Sequence, residues 1–272
     1  MSDTMYLCPT CGTQYPVEDA PPASCLICED DRQYVSPGGQ RWTTLEKLHG
    51  AHTNTLAGIA PGITTIATSP TVGIGQRAYL LRTPAGNVLW DCLAYLDQPT
   101  IAAIQARGGL AAIAISHPHF YTTMVDWSHA FGGVPIYLHS DNQPWVARPD
   151  PVIRYFEGES VAPLPDSPGL RVIRLGGHFP GSAVLYWPQA AEGAGALFTG
   201  DTIMVAADPR WVSFMYSFPN RIPLGERSIR RIVAGVEPLA FSRLFDGWTE
   251  AQGDARDAVL RSAERYITHI HD

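Results

Sequence analysis

The feature that most constrains this chain is His117-Pro118-His119, an H-x-H motif that closes the apolar run 110–115. Such a run reads as a buried strand. A chain that turns at its end can aim two imidazoles at one ion, because the strand fixes their origin and the loop sets their angle. A third histidine and a carboxylate stand downstream, each after its own short apolar run: His178 in Leu175-Gly-Gly-His-Phe-Pro-Gly and Asp201 in Leu197-Phe-Thr-Gly-Asp-Thr. Glycines beside both residues permit tight turns with positive φ, which present a side chain at a strand end rather than inside a sheet. The pattern predicts a metal centre assembled on strand ends.

In type, order and approximate spacing, His117, His119, His178 and Asp201 resemble the metallo-β-lactamase-fold superfamily, with its H-x-H-x-D-H motif, a lone His, an Asp after a Gly, and a final His. The resemblance covers about residues 55 to 250, and an isolated H-x-H would carry much less. It implies an α/β (α+β) chain folded as a four-layer αβ/βα sandwich. Where the superfamily pattern has Asp and His, this chain has Tyr121 and Thr122, and where it has the final Gly-His, the run Phe245-Asp-Gly-Trp ends in Trp248. Those positions complete a second metal site in the superfamily, so the resemblance implies a mononuclear centre here.

Four of the five cysteines form Cys8-Pro-Thr-Cys11 and Cys25-Leu-Ile-Cys28, with 13 residues between the pairs. Each pair lets two thiolates reach one ion from a tight turn, which Gly12 relaxes. The segment resembles zinc ribbons and the rubredoxin-like modules of some redox proteins. Four thiolates accept either Zn2+ or iron; a structural Zn2+ is expected, because so short a module has little core of its own. Cys92 reads as a buried, inert thiol. The run Ser36-Pro-Gly-Gly39 marks a boundary, giving a four-cysteine module over 1–38 and a metallo-β-lactamase-like domain over 39–272.

The chain of 272 residues is long enough for one large domain with an appended module. Its formal charge of −7 and lack of a Lys/Arg block argue against nucleic acid as a partner. No secretory signal and no apolar run of transmembrane length are evident, so a cytoplasmic protein without a membrane partner is expected. Residues 78–82 and 88–92 read as a hairpin, with further strands at 112–115, 136–138, 170–175, 183–187 and 196–199. Helices fit 99–106, 124–131, 226–236 and 254–270.

These residues support a metal-dependent hydrolase acting on a small molecule. Three neutral histidines on Zn2+ leave a position for water, whose pKa falls toward about 7. Asp201 could bind the metal or orient that water. Tyr121 could donate a proton to a leaving group or fill the space of an absent second ion. Trp211, in the aromatic run 208–216, and Trp248 are candidates for a substrate wall. Esters, thioesters, lactones and phosphoesters are all handled in the superfamily. Two other readings remain: a mononuclear non-haem iron oxygenase using His117, His178 and Asp201, with iron possible at either site, and a non-catalytic metal-binding protein. The oligomeric state is not legible.

Overall fold

The computed structural model describes residues 4–271, so the first three residues of the expected 1–38 module, and Asp272 at the end of the expected 39–272 domain, lie outside it. Two sheets form its frame. The first has seven strands in the order Thr53–Ala60, Ile63–Ser69, Ala78–Thr83, Gly86–Trp90, Ala112–Ala114, Ile136–His139 and Ile153–Phe156. The first four pair antiparallel and the last three join in parallel. Parallel joins require crossovers, and the helices Gln98–Gln105 and Met124–Ala130 lie in two of them. The second sheet has six strands, in the order Ser160–Val161, Arg171–Arg174, Ala183–Trp187, Ala196–Gly200, Arg243–Asp246 and Glu250–Gln252.

Alternation along the strands sorts side chains into three cores, because successive residues of a strand point to opposite faces. Val88, Trp90, Ala112 and Ala114 of the first sheet meet Ala183, Leu185, Phe198 and Phe245 of the second in a central core. Their neighbours Leu89 and Ile113 face outward onto Ile104, Val125 and Trp127 of the helices. On the other side, Val184, Leu197 and Leu244 face Ile229, Ile232 and Val259 of the helices Glu226–Val236 and Ala255–Ile270. The result is the four-layer αβ/βα sandwich. In its centre Phe198 stacks on Phe245 at 4.8 Å and Tyr79 meets Phe198 edge-on at 5.3 Å, pairs worth about 0.5–1.5 kcal/mol each beyond their buried area.

The hairpin Thr53–Ala60/Ile63–Ser69 was not among the expected strands. Its first strand is built of Thr, Ala, Gly and Asn with few bulky apolar residues and keeps much of its surface exposed, so the alternation that identifies a strand is faint there. Among the described residues no helix is long and apolar enough to cross a membrane. The cysteine segment forms a small hairpin of Met5–Leu7 with Gln14–Val17, and Leu7 bridges Thr43 through two backbone hydrogen bonds of 2.9 Å.

Candidate metal centre

Strand ends deliver every member of the histidine cluster. After Ala112–Ala114 the chain stays extended at His117 and then tightens into the 3-10 turn Pro118–Phe120, which swings His119 back beside His117. His178 follows Gly176 and Gly177, both at positive φ (+70° and +87°). Asp201 follows Gly200, where only glycine fits: φ is +51°, and a Cβ would stand 2.4 Å from Ser116 Oγ.

The donor atoms of His117, His119, His178 and Asp201 all lie within 4.8 Å of one another, and all four residues are buried. Asp201 Oδ2 is 3.3 Å from His117 Nε2, 3.8 Å from His119 Nδ1 and 3.6 Å from His178 Nε2, and His119 Nδ1 is 3.3 Å from His178 Nε2. A tetrahedral ion with bonds of ~2.0–2.1 Å has ligand atoms about 3.3 Å apart. The donor set also fits an ion chemically: His117 Nε2, which faces Asp201 Oδ2 at 3.3 Å, is buried with no hydrogen-bond partner, an arrangement that is costly unless a cation takes it as a ligand.

Partners behind the cluster fix its tautomers. His178 Nδ1–H donates to the Met215 carbonyl at 3.1 Å, leaving the Nε2 lone pair for the centre. Ser116 Oγ lies 2.8 Å from His117 Nδ1 and donates to Asp91 Oδ1 at 2.8 Å, while the Ser116 N–H donates to the same oxygen at 2.7 Å. With the hydroxyl proton committed to Asp91, His117 Nδ1–H is the donor to Ser116, and Nε2 faces Asp201. Burial pushes the His119 and His178 imidazoles below their usual range, so both favour the neutral form that ligates metals. Burial also opposes ionisation of Asp201, but the surrounding imidazoles outweigh it and hold that carboxyl well below the usual carboxylate range. Asp91 is pushed up to about 7 by burial, against the pull of its Ser116 hydrogen bonds and of His117.

The four cysteines form the second cluster. Cys8 Sγ lies 3.6 Å from Cys28 Sγ and Cys11 Sγ lies 3.5 Å from Cys25 Sγ, all of them free and buried; thiolates at ~2.3 Å from a tetrahedral ion stand about 3.8 Å apart. Gly12, at φ +83°, donates its N–H to the Cys8 carbonyl at 2.7 Å and closes the first knuckle.

The histidine cluster opens on a cavity of about 290 Å3 lined by His119, His178, Asp201, Ile74, Met204, Phe218 and Trp248, together with Thr10, Gln33 and Tyr34 from the cysteine segment. Trp248 lies on the wall of this cavity. Trp211 does not: it lines a separate cavity with Tyr266 and Arg265, whose guanidinium sits 4.3 Å over the indole. Tyr121 caps the 3-10 turn, is turned into the core between the first sheet and its helices, and lines a small cavity with Thr13, Gln14 and Thr122 instead of the one at the histidines. His139 accepts the Asp141 N–H at Nδ1 and donates its Nε2–H to the Gly158 carbonyl, and it is not in the cluster. Asp91, Ser116, Gln33 and Tyr34 are site residues that no motif marked: Asp91 and Ser116 lie 25 residues apart, and a single Asp after a strand looks like any turn residue.

This sandwich, with its His and Asp cluster at the strand ends, has the metallo-β-lactamase fold. Solved structures agree in fold: the metallo-β-lactamase DIM-1 superposes with a TM-score of 0.58 at 13% identity, over 78% of this chain and 98% of that one. The metallo-β-lactamase SMB-1, in a complex with mercaptoacetic acid, gives 0.54 at 18% identity, over 80% and 96%. No known family profile matches the sequence. The chain is 50% identical over 269 residues to the uncharacterized protein YmaE of Bacillus subtilis (strain 168), covering 98% of this chain and 97% of that one, and it belongs to the same family.

Proposed function

We propose that the protein is a metal-dependent hydrolase that holds one ion on His117, His119, His178 and Asp201 and cleaves a small, uncharged ester, thioester or related acyl compound. The observation that carries this reading is the convergence of four buried donor atoms, among them a His117 Nε2 without a hydrogen-bond partner, beside a cavity. A Zn2+ bound there supplies Lewis acidity and a water acidified toward about 7. Ser116 and the Met215 carbonyl hold the His117 and His178 rings in the ligating tautomer. Asp201 Oδ1, unpartnered, is placed to orient a nucleophile by accepting a hydrogen bond from it. Ile74, Met204, Phe218 and Trp248 exclude water from the reacting carbonyl. No Lys or Arg among the described residues lines the cavity, so a phosphate or carboxylate on the substrate has no cationic partner, and this favours neutral acyl groups.

The mononuclear assignment rests on what stands around the cluster. Tyr121 is in the core, an indole N–H has no lone pair to offer, and the Asp246 carboxylate accepts from the Val205, Trp248 and Thr249 N–H groups. We read residues 1–38 as a structural metal module, with Zn2+ on the four thiolates, and residues 39–272 as the catalytic domain.

The test is metal analysis of protein purified without chelators, joined to a panel of p-nitrophenyl acetate, an acyl thioester, a lactone and a phosphodiester. Two zinc equivalents, with hydrolysis of the neutral acyl compounds abolished by Asp201→Asn, are expected. Iron at the histidines with substrate-dependent dioxygen uptake would transfer the site to the oxygenase reading. A fully loaded protein inert toward the whole panel would remove the hydrolase reading.

A further inference from the structure

One of the two groups that hold His178 in place comes from the cysteine segment, and the other is tied to it. His178 is fixed at two points: its carbonyl accepts from Arg32 Nε at 2.6 Å, and its Nδ1–H donates to the Met215 carbonyl at 3.1 Å. Arg32 stands four residues after Cys28. Its guanidinium lies 4.5 Å from the Phe179 ring and 4.3 Å from the Tyr216 ring. Asp30 holds it by hydrogen bonds of 2.9 and 3.1 Å while also accepting from Trp145 Nε1 at 2.9 Å. The second fixing point is tied to the same stretch. Beside Met215, Tyr216 donates its O–H to Asp31 Oδ1 at 2.6 Å and Ser217 Oγ donates to the Arg32 carbonyl at 3.0 Å. Asn220 Nδ2 donates to the carbonyls of Asp31 and Gln33 at 3.0 and 3.1 Å. Both anchors of the third histidine therefore run through residues 30–33.

We propose that Arg32 is a positioning residue for the histidine centre, and that the ordering of residues 30–33 by the loaded four-cysteine site sets that centre's affinity for its metal. The inference rests on reading the histidine cluster as a metal centre. A ligand whose backbone and ring are already held gives up little freedom on binding an ion. Loss of such an outer partner lowers metal affinity about 10–100-fold. Arginine suits the position because its planar fork can hydrogen-bond a carbonyl and lie against two rings at once, which an ammonium cannot do. Coupling of this kind is reciprocal, so loading the histidines also tightens the cysteine site by the same factor.

The experiment uses the full chain and zinc alone, titrated in competition with a chromophoric chelator, with circular dichroism and a melting curve as the check on folding. Arg32→Gln and Arg32→Lys should each retain the cysteine-bound equivalent and a native spectrum while losing about ten-fold or more of the histidine-site affinity. Lysine is expected not to rescue. A folded Cys8→Ser, Cys11→Ser chain should show a comparable fall. Where Arg32→Gln does not fold, Tyr216→Phe decides, since it removes only the O–H to Asp31. Histidine-site affinity within two-fold of the parent in the deciding variant would overturn the proposal. A parent chain that binds no zinc at the histidines would instead overturn the metal-centre reading, and the proposal with it.

Discussion

Replacing Ser116 by alanine tests how the centre is held, because one hydroxyl links Asp91 to His117. Ser116 Oγ is within 2.8 Å of both Asp91 Oδ1 and His117 Nδ1, and all three residues are buried. The substitution opens almost no space, so packing contributes little. Two polar consequences remain. Asp91 loses one of its two hydrogen bonds from Ser116 and keeps the backbone N–H at 2.7 Å; a bond to a charged group is worth about 1.5–3 kcal/mol. His117 Nδ1–H loses its acceptor, and an unsatisfied buried donor costs about 1–3 kcal/mol. Partial relaxation keeps these from adding in full, so the metal-free protein should lose about 2–3 kcal/mol in a urea unfolding curve. The zinc affinity of the histidine site should fall about 10–100-fold, because the ring can now rotate and choose the wrong tautomer. Chelator competition on the full chain reads the second effect independently of the first. A folded Ser116→Ala protein with zinc affinity within two-fold of the parent would falsify the claim that this hydroxyl orients His117.

Gly200→Ala should destabilise by about 2–4 kcal/mol in the same urea assay and displace Asp201, since φ is +51° and the new Cβ would lie 2.4 Å from Ser116 Oγ and 2.7 Å from Ser116 Cβ; near-parental stability would mean the turn can open freely. Tyr121→Phe should leave the rate of acyl hydrolysis within two-fold, because the phenol lines a cavity other than the one at the histidines; a ten-fold fall in kcat would restore it as a proton donor. Asp91→Asn should change the pH profile of stability: the carboxyl sits at about 7 when folded and about 3.9 when unfolded, so folding takes up a proton between these values. The contribution is complete below about 3.9 and is lost as pH rises through about 7. Relative to Asp91→Asn, the metal-free parent should weaken as pH rises between those limits, and parallel profiles for the two proteins would contradict the assignment.

What could be read from the sequence was whatever local chemistry leaves along one stretch of chain. His117 and His119 are one residue apart, and each cysteine pair is two residues apart, so their convergence follows from single turns. Strands such as 183–187 and helices such as 226–236 announce themselves by period. The relay from Asp91 through Ser116 was illegible because it joins two strand ends that meet only when Gly86–Trp90 and Ala112–Ala114 pair in parallel. The side to which Tyr121 points was illegible for another reason. It depends on whether the chain after His117 continues extended or tightens into a 3-10 turn, and a Pro at 118 permits either. Trp211 fell to the same limit, since closeness to Asp201 in sequence does not put both on one cavity once the chain reverses through 204–205 and 212–213.

The cysteine module shows why a linker is weak grounds for independence. A glycine-rich stretch at Ser36–Gly39 suggests a boundary between two modules, yet a segment this small cannot bury a core from its own residues. Its cluster of Tyr15, Ile27 and the cysteines is completed by Trp42, Ile74, Trp145 and Ala147, all from beyond the linker. The approach is close enough to reach backbone: a Cβ on Gly12 would stand 2.7 Å from Ala94 Cβ, and one on Gly73 would stand 2.9 Å from the Cys11 carbonyl carbon. Gln14 then donates to Asp126 at 2.7 Å and its backbone N–H to the Thr122 carbonyl at 3.2 Å, beside the H-x-H turn itself. A docked face of this kind sets the cysteine segment against the cavity at the histidines. That is the physical reason Thr10, Gln33 and Tyr34 can serve as cavity wall rather than as a tethered appendage.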